Sequence, residues 1–293
     1  MKKYAKHLPA KKRDCLNQIK QIILSVCRPD KIILFGLYAD ETLFANISQY
    51  PSRLQVFDLL VIVKGGDSRE HPELQRLIED KCYNIAQVNC VVHHLKYVNE
   101  RLMEGSFFLY RIQEEGIVLY DGSQLPLSKA AAVNFQILKQ RAEEDYRDWS
   151  TQAKQFYDCA TFSKQYGYHR LSIFLLHQAA EQMYMAIILT FTGYKPTTHN
   201  LGKLRKHTAR LSLQLCSVFP DRTDDDQRIF HLLTASYVDA RYAGSFDVNE
   251  NDLLTLFTLV GRLLTLGETL CLHQLTYLNK LAAEQNKPEL SAV

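Results

Sequence analysis

The chain has 293 residues, 46% of them hydrophobic and 23% charged, with 12 glycines and 8 prolines. That composition excludes a disordered, collagen-like or low-complexity chain, and the length favours one or two domains, each large enough to bury a core. A formal net charge of +3 is too small to mark wholesale nucleic-acid binding.

The seven cysteines lack CxxC spacing and mostly sit in apolar runs, so zinc sites and a disulfide framework are not expected. Gln18, Lys20 and Gln21 interrupt the first apolar stretch, unlike a signal peptide. No run approaches the roughly 20 apolar residues of a membrane span. A soluble, cytoplasmic protein with no membrane partner is expected. Lys2, Lys3, Lys6, Lys11, Lys12 and Arg13 crowd the N-terminus, as a phosphate-attracting arm or, more plainly, a solvated and partly frayed segment.

Leu16, Ile19, Ile22, Ile23 and Val26 recur at helical spacing and predict a first helix over 12–27. KIILF (31–35) reads as a buried strand ending at Gly36, residues 38–47 as helical and 48–53 as a loop. LQVFDLLVIV (54–63) is the strongest strand signal. A helix over 73–86, a strand over 87–95, a helix over 105–115 and a strand over 117–121 follow. Strands alternating with helices predict an α/β or α+β unit with a mixed sheet.

After Pro126 no strand is expected, only helical stretches at 128–166, 168–192, 199–217, 225–242 and 250–284, broken at Gly167, Gly193, Pro220 and Gly244. These predict an antiparallel helical bundle. Its first helix carries a charged, solvated face of Arg141, Glu143, Glu144, Asp145, Arg147 and Asp148. The boundary falls in GSQLPLS (122–128), giving domains 1–125 and 126–293.

In the first domain a strand ends at Gly36–Leu37, and Asp58 sits on the next strand with Val56 two residues before it. This arrangement resembles the nucleotidyltransferase superfamily, particularly its minimal type. There a strand ends in Gly-Ser, Asp-x-Asp follows on the next strand, and a third acid comes later. Alternating side chains put both acids of Asp-x-Asp on one strand face. With the third they hold Mg²⁺ for phosphoryl transfer, and glycine lets the backbone approach phosphates. Here Leu37 stands where the serine belongs, Val56 replaces the first Asp, and Asn89 falls at about the third acid. The resemblance therefore implies the fold, phosphate contact at Gly36 and Leu37, and a catalytic and metal set reduced to Asp58. A purely structural role for Asp58 stays open. His93 and His94, adjacent on a strand, are expected to point to opposite faces and not to share an ion. EGSFFLYRIQEEGIVLYDG (104–122) resembles the closing element of these folds, through Gly116, Leu119 and Tyr120.

RLSIFLLHQAAEQMYMAIILTFTGYKPTTHNLGKL (170–204) and SYVDARYAG (236–244) resemble HEPN domains. The matching positions are His177, Ala180, Glu181, Gly193, Pro196, Thr198, His199, Leu201, Tyr237, Arg241 and Tyr242. His177 and Glu181, four apart, share a helix face, either poising a nucleotide pocket or forming a semi-buried pair. Thr197 or Thr198 reads as an N-cap. Arg241 is placed to pair with phosphate or with Glu181. The Arg-x4-6-His motif of HEPN ribonucleases is absent after Arg241, and the Arg170–His177 spacing lies on the wrong helix.

The expectation is a nucleotide- or nucleic-acid-binding protein, built from a catalytically reduced nucleotidyltransferase domain and a HEPN domain and leaning away from enzymatic activity. Phosphate or nucleotide would meet Gly36, Leu37, His177, Glu181, Arg241 and Tyr242. Mg²⁺ accompanying a nucleotide is the one cofactor in view. A nucleotide is the expected partner, RNA a second, and a homodimer through the helical domain is expected. The alternatives are an active Mg²⁺-dependent nucleotidyltransferase moving AMP onto a small molecule, RNA or protein, and a non-catalytic dimeric interaction protein.

Overall fold

The structure, a computed structural model, describes residues 9–38, 56–65, 69–123, 125–209, 211–242 and 246–286; of Leu37, Tyr38 and Leu213 it describes the backbone alone. The expected helix at 38–47, the loop at 48–53 and the side chains of Lys2, Lys3 and Lys6 therefore lie outside the described residues. The chain divides into two units, Met1–Val133 and Asn134–Val293.

In the first unit α1 (Ala10–Val26) buries Leu16, Ile19, Ile23 and Val26. Lys12 is also buried, so it is not part of a solvated arm, while Lys11 and Arg13 are exposed. The sheet holds β1 (Pro29–Tyr38), β2 (Val56–Val63), β3 (Gln87–His94) and β4 (Ile117–Asp121) in the order β3-β2-β1-β4. β1 runs antiparallel to β2 and β4, and β2 runs parallel to β3, so the sheet is mixed, as expected. All eight residues of β2 are buried, which explains its unbroken apolar run. Between β2 and β3 comes α2 (His71–Cys82), which turns Leu74, Ile78 and Cys82 into the core shared with α1.

The segment after β3 departs from expectation. Residues 95–103 form a separate helix, α3 (Leu95–Met103), with Val98 and Leu102 buried. The expected helix follows as α4 (Phe107–Glu115), capped by Ser106. Leu95 extends the apolar texture of β3 without a glycine or proline, so the strand-to-helix change leaves no breaker to read.

The second unit is all helix: α5 (Phe135–Gln165), α6 (His169–Thr192), α7 (Leu201–Ala209), α8 (Leu213–Cys216), α9 (Asp224–Tyr242) and α10 (Glu250–Gln285). The expected long first helix starts later than 128, at Phe135, where Asn134 caps it with bonds from Gln136 and Ile137 N–H. α6 is buried on nearly every side from Ser172 to Thr190. A helix apolar all round belongs at the centre of a bundle, and α5, α9 and α10 pack on it. Each fully buried Leu or Ile there stabilises by about 1.5–3 kcal/mol. α6 ends at Gly193, whose φ of 64° is the left-handed region that favours glycine. Arg228 of α9 grips Asp252 of α10 with two bonds of 2.6 and 2.7 Å, and Asn249 caps α10. α10 is long and apolar enough, by length and composition, to cross a membrane, yet its Leu253, Leu256, Val260, Leu263 and Cys271 fill the bundle core.

Candidate functional site

In the sheet the strand register sets Gly36, Asp58 and Asn89 in one cross-strand row. Asp58 is fully buried, and its Oδ1 accepts a 2.7 Å hydrogen bond from the Asn89 amide. Val56, in the first-acid position, is buried and pairs with Gln87. The pieces named from the sequence thus converge, but as a carboxylate–amide pair. Mg²⁺ favours several oxygen ligands and keeps some of its water, and a carboxylate closed off from solvent and bonded to an amide does not fit that demand. Among the described residues no group of three or more His, Cys, Asp or Glu side chains could hold a metal. The side chain of Leu37 lies outside the described residues.

At one end of the same sheet His71 opens α2, and its ring lies 5.8 Å from that of His93 and 4.5 Å from that of His94. Strand alternation had separated His93 from His94. His94, however, is the last residue of β3 and precedes α3, so one ring comes near both. Burial, then the neighbouring His71 and His94, push His93 down to about 4.

The second cluster is in the bundle. His177 and Glu181 sit one turn apart on α6, both buried. His177 Nδ1 is 3.0 Å from the Leu233 carbonyl of α9, so Nδ1 carries a proton and donates. His177 Nε2 faces Glu181 Oε2 at 3.6 Å, longer than a hydrogen bond. The other Glu181 oxygen, Oε1, accepts a 2.8 Å bond from His199 Nδ1. His199 lies just before α7, and its side chain is 67% exposed. Burial alone would raise the Glu181 carboxyl, but His177 and His199 beside it outweigh burial and hold it below its usual value. The glutamate is therefore ionised at neutral pH, and His199 is fixed with its Nε2 outward.

Tyr237 of α9 spans both imidazoles. Its ring stacks on His177 at 5.1 Å and lies within 5° of parallel to His199 at 6.4 Å. Arg241, one turn on, does not reach Glu181. Its Nε donates to the Tyr237 carbonyl at 2.6 Å. Its guanidinium lies over the rings of Tyr237, Tyr242 and Phe174, at 4.4, 5.1 and 5.5 Å. Arg241 is exposed, as is Tyr242 at 76%, and among the described residues Arg241 forms no ion pair. The site therefore presents a flat cation among rings, beside an imidazole aligned by a buried carboxylate. Guanidinium edges suit phosphate oxygens, and exposed rings suit bases.

Sequence reasoning paired His177 with Glu181 and named Arg241 and Tyr242, but missed the His199–Glu181 bond and the bridging role of Tyr237. The N-cap before α7 is Asn200, which accepts from Lys203 N–H at 3.0 Å, rather than Thr197 or Thr198. Thr198 Oγ1 instead accepts from Asn200 N–H. Arg170 donates to the Ala240 carbonyl at 3.1 Å and so serves the end of α9.

Residues 146–270 match the family model of the HEPN domain, so the stretch holding His177, Glu181, His199, Tyr237 and Arg241 is a HEPN domain. No curated protein matches the chain.

Proposed function

We propose that this protein binds nucleic acid, with RNA as the ligand, through the HEPN domain at Arg241, Tyr242, Tyr237 and His199. We propose as well that its N-terminal unit is a nucleotidyltransferase-type fold reduced to a non-catalytic role. The observation that carries the first part is Arg241, an exposed guanidinium lying over aromatic rings with no acid paired to it among the described residues. With Nε engaged by the Tyr237 carbonyl, such a group offers its Nη edge to a phosphate while its rings offer stacking faces to a base. The HEPN match supports an RNA-related function. The fully buried Asp58, bonded to Asn89, supports the reduced transferase. The expected homodimer belongs to this reading, because HEPN domains tend to dimerise.

The test is fluorescence anisotropy with a labelled single-stranded RNA. Arg241→Ala is expected to weaken binding at least tenfold, equivalent to about 1.4 kcal/mol. Asp58→Asn is expected to leave binding unchanged, with or without Mg²⁺. Equal affinity of the wild type and Arg241→Ala would sink the proposal. Label transfer from α-labelled ATP, lost on Asp58→Asn, would instead restore an active transferase.

The His199–Glu181 bond favours a second reading, RNA cleavage with His199 as general acid or base. A carboxylate on Nδ1 fixes the tautomer and aims Nε2 at solvent. Under that reading metal-free incubation yields cleaved RNA, and His199→Ala keeps binding while losing cleavage. Intact RNA with the wild type leaves binding alone.

A further inference from the structure

The chain has 10 histidines, and three of them meet at the end of the sheet where the parallel strands β2 and β3 finish. His71 is the first residue of α2, and His93 and His94 are the last two of β3. The His71 ring lies nearer to His94, at 4.5 Å, than to His93, at 5.8 Å. The His93 ring is engaged elsewhere, stacked on Tyr97 of α3 at 4.3 Å.

His71 and His94 each keep a ring nitrogen for a ligand. His71 Nε2 is buried and has no hydrogen-bond partner among the described residues. Burial, then the neighbouring His94, lowers the pKa of His71 from its ordinary 6.5, so its imidazole is neutral at pH 7 and can offer a lone pair. His94 Nδ1 lies 3.4 Å from the carbonyl of Val63, its register partner on β2. The proton therefore sits on Nδ1, and Nε2 carries the lone pair. A backbone carbonyl behind one nitrogen is the usual way a metal-ligating histidine is oriented. Glu70, just before His71, adds a negative charge beside the pair.

The ring spacing suits one shared ion. Two imidazole nitrogens about 2.0–2.1 Å from an ion, at an angle of roughly 90–110°, set their ring centres roughly 4.5–5.2 Å apart. The 4.5 Å between His71 and His94 meets that range, and the 5.8 Å to His93 does not. With two protein ligands, water must complete the coordination sphere, and His71 and His94 are only partly buried. In the bundle, His177 Nε2 and Glu181 Oε2 also face each other without hydrogen-bond partners. Those two side chains are only 2% and 5% exposed, however, and so are closed to the water such an ion needs.

We propose that His71 and His94 form a two-histidine site for a divalent transition-metal ion of the imidazole-preferring class (zinc, copper or nickel), with His93 outside the coordination sphere. Imidazole suits these ions, whereas Mg²⁺ seeks oxygen. The site uses neither Asp58 nor any residue assigned to RNA, so it stands independently of those readings.

Titration calorimetry of the full chain with Zn²⁺ in chelator-free buffer tests it, and electron paramagnetic resonance with Cu²⁺ counts the nitrogen ligands. Zn²⁺ is expected to bind one per chain and to withstand excess Mg²⁺. His71→Ala and His94→Ala are each expected to weaken binding roughly tenfold or more, with unfolding midpoints checked to confirm folded chains. His93→Phe is expected to leave it unchanged. The Cu²⁺ spectrum of the wild type is expected to show two nitrogen ligands. No Zn²⁺ binding would overturn the proposal. So would binding that survives both alanine substitutions, that is lost in His93→Phe, or that Mg²⁺ displaces. A wild-type Cu²⁺ spectrum with fewer than two nitrogens would overturn it whatever the variants do.

Discussion

Glu181 is buried, yet both of its oxygens face histidines, and this fixes its contribution to stability. Its folded pKa lies below the unfolded carboxylate value. The sign follows: its stabilisation is present above the unfolded pKa, near 4.5, and is lost as pH falls through the folded value. Glu181→Gln is expected to cost on the order of 1–3 kcal/mol at pH 7, as the amide cannot match the charge-assisted bond to His199, and to flatten the acid limb below pH 4.5. Urea unfolding at several pH values reads both effects. His93 behaves oppositely in range. Its folded pKa of about 4 lies below the unfolded value of 6.5, so full stability holds above pH 6.5 and declines as pH falls toward 4. The decline is expected to reach roughly 2 kcal/mol after discounting for partial exposure. His93→Phe, which keeps a ring against Tyr97, is expected to remove that part of the acid loss. An unaltered pH profile in this variant would contradict the histidine account.

At the scale of elements, the sheet was largely legible and the helical site only partly so. β2 announces itself as an unbroken apolar run because both of its faces are buried. Asp58 and Asn89 could be placed on their strands, but that they meet required the parallel register of β2 with β3, which no local pattern states. Asp58→Ala is expected to cost about 1–3 kcal/mol by leaving the Asn89 amide without this partner, seen as a lower urea midpoint with RNA affinity unchanged. The His199–Glu181 bond spans 18 residues across the Gly193 turn, and its closure depends on how the loop returns over α6. Gly193→Ala is expected to cost about 1 kcal/mol through its left-handed φ, and to loosen His199, read as faster hydrogen exchange at the start of α7. The exposure of Arg241 did have a signal in the sequence. Ile229, Leu233 and Ser236 mark the inner face of α9, and Arg241 lies five residues past Ser236, about 140° round the helix.

For the whole molecule, the two units carry unequal chemistry. The N-terminal unit keeps the row of Gly36, Asp58 and Asn89, with Asp58 buried and bonded to the Asn89 amide. The helical unit presents Arg241 and Tyr242 at the surface, and its exposed Tyr166 ring meets those of Phe162 and Tyr168, also exposed. Light scattering of the full chain is expected to give twice the chain mass, in keeping with the homodimer reading, and a monomer at micromolar concentration would remove it. RNA lying across the end of α9 and His199 would be mapped by photocrosslinking a 4-thiouridine RNA and identifying the modified peptides. Adducts are expected at Tyr237, Tyr242 or His199, suppressed by Arg241→Ala. Adducts confined to residues 1–133, or unchanged in Arg241→Ala, would contradict that placement.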